Sequence, residues 1–245
     1  MSNLAPPETD VDYPESDGLP MADDTLQYDW IVLIVGELRD LFAEQEVFVA
    51  GNLFWYPVKG DLNLVSAPDC MVAFGRSPGY RGSYRQWEEG GLAPQVVFEV
   101  YSPTNTALNY KKRLSFFQKH GVEEYYFIDP YEETVTGYRR NGKRLVTLPN
   151  MNGFVSPRLG VMFDWQECKL VLVGPDGRVF RTREERVAEL KAEFELEHDL
   201  AETLAKELRA EKRRAAAEQK KTEAEKQKVE ALRAKLRALG IDPDE

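Results

Sequence analysis

The sequence is poor in the residues that build sulfur- and nitrogen-rich metal sites. Its 245 residues contain two cysteines, Cys70 and Cys168, and two histidines, His120 and His198. The cysteines are too far apart for the paired spacing of a zinc site, so we expect two reduced thiols rather than a disulfide or a metal cluster. Neither histidine has a ligand partner in the pattern, which argues against zinc.

Long hydrophobic runs are also missing. No stretch approaches the roughly 20 apolar residues that a membrane-spanning helix needs. The first ten residues, MSNLAPPETD, lack the basic and then apolar pattern of a signal peptide. These two absences predict a cytoplasmic protein with no membrane partner.

An excess of basic charge is absent as well, because the net charge is −10. Residues 1–29 hold eight acids and no base, and residues 240–245 hold three more acids. These eleven acids contribute −11 to the net charge of −10, so residues 30–239 carry a net charge of +1. A chain without a basic surface is a poor candidate for tight electrostatic binding of nucleic acid. An enzyme that handles DNA locally, through a metal ion, remains compatible with this balance.

Composition divides the chain into four segments. Residues 1–24 are rich in Pro and Asp and predict an acidic, extended arm. Residues 25–180 have the apolar and aromatic content of a folded domain. Residues 181–240 are rich in Glu, Ala, Lys and Arg and predict a long helix, and residues 241–245 form a tail.

Hydrophobic periodicity predicts the elements of the folded domain. A helix is expected from Thr25, capped by Asp24 or Thr25, and a second helix over 104–120 is closed by Gly121. The apolar face of the first helix is predicted to be Trp30, Leu33, Ile34, Leu38, Leu41 and Phe42. Strands are predicted at 47–56, 67–74, 95–101, 124–128, 134–139, 144–148, 161–164 and 168–173. This order is typical of a mixed α/β domain.

The long C-terminal helix carries a heptad pattern. With Val187 at position a, the apolar a and d positions near the two ends include Val187, Leu190, Phe194, Leu204, Leu208, Val229, Leu232 and Leu236. The middle of the seam, from Glu211 to Glu225, is polar or small. Such a helix needs a partner to bury its seam, which predicts a coiled-coil homo-oligomer. The alternative is a single solvated, charged helix.

Two acidic residues stand in strongly apolar strands. Asp69 follows Pro68, and Glu99 lies inside QVVFEVY, where a carboxylate is costly unless a cation or donor meets it. Two such acids on neighbouring strands would suit Mg²⁺, and Lys111, Lys112 and Arg113 follow on the next helix. From spacing alone the simpler interpretation leads: Asp69 is a turn residue and Glu99 forms a buried salt bridge with a base on the helix.

Several motifs in a fixed order resemble one known family. Pro68-Asp69, VVFEVYSPTNT, KKRLSFFQKHGVEEYYFIDP and MNGFVSPRLG are similar to the Uma-type family of restriction endonucleases, within the PD-(D/E)XK nuclease superfamily. The resemblance covers residues 12–180. The appended charged helix ending in LGIDPDE is similar to tails that many members carry.

The resemblance implies an αβββαβ, restriction-endonuclease-like core with extra β-hairpins and a divalent metal, Mg²⁺ or Mn²⁺, held by Asp69 and Glu99. The superfamily lysine would fall at Tyr101 and is therefore absent from the strand. The family supplies it from the following helix, where Lys112 is the first candidate and Arg113 the alternative. Arginine stabilises charge but is a poor base.

Members of the superfamily often complete the site with an acid from the N-terminal region. Glu37 is the first candidate here and Glu15 the second. The resulting functional hypothesis is a Mg²⁺-dependent endodeoxyribonuclease that cleaves DNA and dimerises through its coiled coil. The alternative hypothesis is a catalytically inactive nuclease fold that binds partner proteins through the same coiled coil.

Overall fold

A computed structural model describes residues 12–16, 18 and 22–238. The chain forms two compact units, residues 1–183 and residues 184–245. Most of the predicted acidic arm, and all of the predicted tail at 241–245, lie outside the described residues. No helix in the described part of the chain is both long enough and apolar enough to cross a membrane.

Within the described residues the first unit contains two helices and eleven strands. The helices are α1 (Thr25–Leu41) and α2 (Ala107–His120). The strands are β1 (Val47–Ala50), β2 (Trp55–Tyr56), β3 (Cys70–Phe74), β4 (Tyr84–Arg85), β5 (Val96–Val100), β6 (Glu124–Asp129), β7 (Thr134–Asn141), β8 (Arg144–Thr147), β9 (Phe154–Val155), β10 (Met162–Gln166) and β11 (Lys169–Val173). The order α1, β1, β3, β5, α2, β6 confirms the predicted αβββαβ core.

A six-stranded mixed sheet, in the order β1-β3-β5-β6-β7-β8, forms the middle layer. Strands β5 and β6 are parallel and joined by α2, whereas the other neighbours are antiparallel. One face packs against α1 and the small sheet β11-β10-β9 through a core that includes Ile34, Phe98 and Phe163. The opposite face packs against α2 through Val97 and Phe117. The αβββαβ core is therefore a sheet covered on both faces.

Helix α1 begins where the sequence predicts. The side chain of Asp24 is the N-cap and accepts a hydrogen bond from the backbone N–H of Gln27 at 2.9 Å. The buried face, however, is rotated from the predicted one: Ile31 is buried, whereas Trp30 is only partly covered. Gln27 is buried with the apolar residues because its amide donates to the backbone oxygen of Val100 at 3.3 Å. Periodicity alone does not reveal a polar residue that is buried through a hydrogen bond.

The predicted strand at 47–56 is interrupted. Asn52 adopts a left-handed φ of 50°, which ends β1 two residues earlier and separates it from β2. A Cβ atom on Gly51 would lie 3.0 Å from the Val35 side chain and 3.2 Å from the backbone oxygen of Asp69. The backbone N–H of Asn52 donates to Pro68 at 2.9 Å. This turn therefore fixes the backbone just before β3, where Asp69 lies.

Part of the N-terminal segment packs against the domain. Tyr13 is buried, and its ring lies 5.0 Å from that of Tyr56 and 4.9 Å from that of Trp87. The Tyr56 hydroxyl also donates to the backbone oxygen of Pro14 at 2.8 Å. The composition of residues 1–24 predicted an extended arm, and a single aromatic anchor such as Tyr13 is too local a signal to change an average over the whole segment.

The described part of the second unit is helix α3 (Arg183–Ala238), 56 residues long. This confirms the predicted long C-terminal helix. The apolar seam side chains are exposed along the helix, as at Phe194 (69% exposed) and Leu232 (63% exposed). Pairing with a second helix stays a prediction.

Candidate functional site

Asp69 lies directly before β3, and Glu99 lies in β5, the antiparallel neighbour of β3. The ladder between the two strands ends at the pair Cys70 and Phe98, which is adjacent in sequence to both acids. Residues two apart along a strand share a face, so Glu99 lies on the face of Val97, which α2 covers. Asp69 is close enough for its charge to act on Glu99. Both side chains are buried.

The guanidinium of Arg113 on α2 binds the carboxylate of Glu99. Nη1 of Arg113 donates to Oε2 of Glu99, while the second oxygen, Oε1, is buried without a hydrogen-bond partner. Glu99 is 0% exposed and the Arg113 side chain is 32% exposed. The Arg113 guanidinium thus reaches Glu99 from the solvent side and leaves Oε1 of Glu99 without a hydrogen bond.

Asp69 is held from the other side by the end of β5. Its Oδ2 accepts a hydrogen bond from the backbone N–H of Val100 at 2.7 Å, and the side chain of Gln27 on α1 donates to the backbone oxygen of the same Val100 at 3.3 Å. Helix α1 therefore holds the end of β5 to which Asp69 binds. The hydrogen bond from Val100 keeps the Asp69 side chain at the end of β5, next to Glu99.

Burial is the main cause of the raised pKa values of Asp69 and Glu99. It raises the pKa of Asp69 to about 6, against the hydrogen bond from Val100 and the charge of Arg113. Burial, followed by repulsion from Asp69, raises the pKa of Glu99 well above its usual range, and Arg113 offsets only part of this. The charge of Glu99, in turn, raises the pKa of Arg113. One arginine cannot neutralise two carboxylates, so the site favours a bound proton or a second cation.

The three predicted basic residues occupy different positions. Arg113 reaches Glu99, whereas Lys112, the first candidate, is exposed, about 100° around the helix from Arg113. Lys111 is exposed and lines a neighbouring pocket. Tyr101, which occupies the superfamily lysine position, packs against Tyr110 with ring centroids 6.0 Å apart. Of the three, Arg113 is the residue that contacts Glu99.

The two predicted N-terminal acids lie elsewhere. Oε1 of Glu37 accepts a hydrogen bond from the backbone N–H of Arg181 at 3.0 Å, and Glu37 is ten residues, about 15 Å of helix, beyond Gln27. The carboxylate of Glu15 lies over the Cα atom of Gly82. Glu37 thus binds the segment before α3, and Glu15 lies beside Gly82.

Asp23 is the acid that sequence reasoning missed. Its Oδ2 accepts hydrogen bonds from the hydroxyls of Ser102, at 2.5 Å, and of Thr104. These two donors lower the pKa of Asp23, and its charge acts on both Asp69 and Arg113. The sequence holds a weak indication of this role. Asp24 alone caps α1, which leaves the carboxylate of Asp23 without a function in the cap.

The two buried carboxylates fit a divalent cation. Two buried carboxylates that repel each other, one with an unsatisfied oxygen, fit a hard cation that accepts oxygen ligands. Over the described ranges, no group of three or more His, Cys, Asp and Glu side chains could hold a metal ion. Mg²⁺ commonly uses one or two carboxylates and fills its shell with water and substrate phosphate, so two acids fit this ion.

Comparison with known proteins finds one family. The family described as "Uma2: Putative restriction endonuclease" matches residues 20–170, which include α1, α2 and the whole carboxylate site. A crystal structure of a putative nuclease belonging to DUF820, from Anabaena variabilis ATCC 29413, is similar with 18% identity and a TM-score of 0.42. The match covers 55% of this chain and 72% of that chain. No curated protein matches the sequence.

Proposed function

This chain belongs to the Uma2 putative restriction endonuclease family, and we propose that it is a metal-dependent endonuclease that hydrolyses phosphodiester bonds in DNA. Asp69 and Glu99 would hold Mg²⁺ or Mn²⁺. The observation that carries the proposal is that these two buried acids lie next to the last ladder pair of β3 and β5, close enough to act on each other electrostatically.

A bound divalent ion would polarise a phosphodiester oxygen and lower the pKa of its water ligand. The protein's own contribution is to hold two carboxylates in place: the backbone N–H of Val100 holds Asp69, and Arg113 holds Glu99. Arg113 keeps its proton at all relevant pH values, so it stabilises negative charge and orients Glu99 but does not accept a proton from water. Asp23 adds negative charge near Arg113 and is the third acid we assign to the site.

The test is nicking of supercoiled plasmid DNA with Mg²⁺ or Mn²⁺. Asp69→Asn and Glu99→Gln keep the shapes of the side chains and remove the charges, and we expect each to abolish cleavage. Glu124→Gln is the matched control, because Glu124 is a buried carboxylate on the same sheet that binds Tyr126 at 2.9 Å and Ser156 at 2.5 Å on the other side of the molecule's core. If Asp69→Asn and Glu99→Gln are folded and cleave as fast as Glu124→Gln and the wild type, the proposal is wrong.

The second candidate is a nuclease fold without catalysis, acting in protein–protein interaction. The ion pair between Arg113 and Glu99 favours it, because this is also the buried salt bridge expected of a purely structural role. The test separates the two: an inactive fold shows no plasmid nicking in the wild-type chain and no metal binding that depends on Asp69 and Glu99.

We further propose that α3 pairs with the α3 helix of a second copy as a coiled coil. Its apolar a and d side chains, such as Leu204 (56% exposed) and Leu208 (52% exposed), are exposed in the single chain. Two copies of the nuclease domain in one dimer would suit cleavage of both DNA strands.

A further inference from the structure

A pocket of about 480 Å³ lies beside the carboxylate site, between α2 and the strands β6 and β7. Its volume is in the range of about 300–1,000 Å³ that is usual for small-molecule pockets. The residues that the argument uses are Tyr101, Tyr110, Lys111, Tyr125, Phe127 and Tyr138. The pocket is open at the surface, so a ligand can enter it without a change in the fold.

The pocket adjoins the carboxylate site through shared neighbours. Phe127, which lines the pocket, pairs with Glu99 in the parallel ladder of β5 and β6, so the two side chains are neighbours on the same face of the sheet. The charge of Glu99 acts on the pocket residues Tyr110 and Tyr125. A nucleotide in the pocket would therefore lie next to a substrate phosphate at Asp69 and Glu99.

Aromatic rings form most of the pocket wall. The rings of Tyr125 and Tyr138 are stacked 5.4 Å apart with an interplanar angle of 20°. Tyr110 and Phe127 meet edge to face at 4.6 Å, and Tyr101 lies 6.0 Å from Tyr110. Tyr125 is buried against Tyr138, whereas Tyr101, Tyr110, Phe127 and Tyr138 are partly exposed, and their exposed surfaces suit a planar aromatic ligand.

Polar groups at the edge of the pocket complement a nucleotide. Asn105, Asp129 and Thr136 line it and offer hydrogen-bond donors and acceptors for the edge of a base. Lys111 lines it too and carries a positive charge that suits a phosphate. A planar slot with a hydrogen-bonding edge and one cation matches a nucleobase on its sugar-phosphate better than a simple apolar ligand.

We propose that this pocket binds one unpaired nucleobase of the DNA substrate, next to the phosphodiester held at Asp69 and Glu99. The inference rests on the proposed nuclease function, because it names the part of the substrate that the same site recognises. Single-stranded DNA, or DNA whose base can be turned out of the helix, is then preferred over regular duplex.

The test is binding of a fluorescent single-stranded DNA oligonucleotide that contains one 2-aminopurine, measured by anisotropy in EDTA at low salt. Working without metal separates base binding from cleavage. Thr136→Trp fills the pocket, and Tyr138→Leu removes a stacking surface while keeping apolar volume. Tyr80→Leu is the control, because Tyr80 is 92% exposed on the long loop. Thermal unfolding establishes that each variant is folded.

We expect Thr136→Trp and Tyr138→Leu each to weaken binding of the single strand about tenfold, since one stacked base is lost. We also expect the 2-aminopurine fluorescence to change on binding to the wild type and to Tyr80→Leu, but not to Thr136→Trp. Binding by Thr136→Trp within twofold of wild type overturns the proposal, and so does a wild-type chain that binds no single strand. If the wild type cleaves plasmid but Thr136→Trp binds the single strand as the wild type does, only the base-binding inference is wrong. If the variants weaken binding as expected but the wild type cleaves no plasmid, only the nuclease proposal is wrong.

Discussion

Arg113 on α2 and Glu99 on β5 form an ion pair in which the carboxylate is fully buried and the guanidinium is about one third exposed, at 32%. The pair connects the helix to the sheet at the point where Asp69 also approaches. Because the second oxygen of Glu99 has no partner, the arginine satisfies the site only in part.

Removing the arginine is expected to be costly. In Arg113→Met the carboxylate of Glu99 is left buried without a cation, and we expect a loss of about 3–5 kcal/mol in the free energy of unfolding, less any part recovered by protonation. Urea unfolding measures it. The double variant Glu99→Gln, Arg113→Met removes both charges and should recover most of the loss; no recovery would contradict the ion-pair account.

The pH dependence of stability follows from the raised pKa of Asp69. Its value of about 6 in the folded protein lies above the ordinary 3.8, so the folded state binds more protons than the unfolded state between these values. The contribution of Asp69 to stability is therefore lost as pH rises from about 4 to about 6 and is constant above that range.

Asp69→Asn lacks this dependence. We expect the free energy of unfolding of the variant, relative to that of the wild type, to rise by about 2 kcal/mol between pH 4 and pH 7, as measured by denaturant titrations. Most other titrations cancel in the difference. A constant difference across this range would show that burial does not raise the pKa of Asp69 as described.

Asp23 is expected to tune the site rather than hold the metal alone. Asp23→Asn keeps hydrogen bonds to Ser102 and Thr104 but removes a negative charge that acts on Arg113. We expect a loss of roughly tenfold in the nicking rate. The effect on stability should be small, because the side chain is exposed. A loss as complete as in Asp69→Asn would instead identify Asp23 as a direct ligand.

The seam of α3 predicts concentration-dependent association. Leu204→Glu together with Leu208→Glu places charges on the exposed seam, and we expect analytical ultracentrifugation to show a shift from dimer to monomer. Arg213→Glu is the control, because it lies at position f of the same heptads. A monomeric wild-type chain would refute the coiled-coil proposal and leave the solvated-helix alternative.

Much of the fold could be predicted from the sequence because its signals are strong and local. The apolar run of β5, the stop at Pro103 and the Gly121 cap with φ of 103° all act within a few residues. The break after β1 could not be predicted, because Gly51 stands where α1 leaves no room for a side chain: a Cβ atom there would lie 3.0 Å from Val35. Non-local contacts of this kind leave no periodic trace.

Some residues of the site could likewise be predicted from local sequence signals, and others could not. Asp69 and Glu99 stand out because a carboxylate in an apolar strand demands a partner. The choice between Lys112 and Arg113 depends on the rotation of α2 about its axis, where one residue changes the direction by about 100°. Asp23 depends on where the chain before α1 crosses the end of β5, which the spacing of residues does not encode.

Binding of Mn²⁺, measured by titration calorimetry at pH 7.5, tests most directly whether Asp69 and Glu99 form a divalent cation site. We expect the wild type and Glu124→Gln to bind one ion with similar affinity, and Asp69→Asn and Glu99→Gln each to bind at least tenfold more weakly. Equal binding by all four proteins, or none by the wild type, would contradict the account.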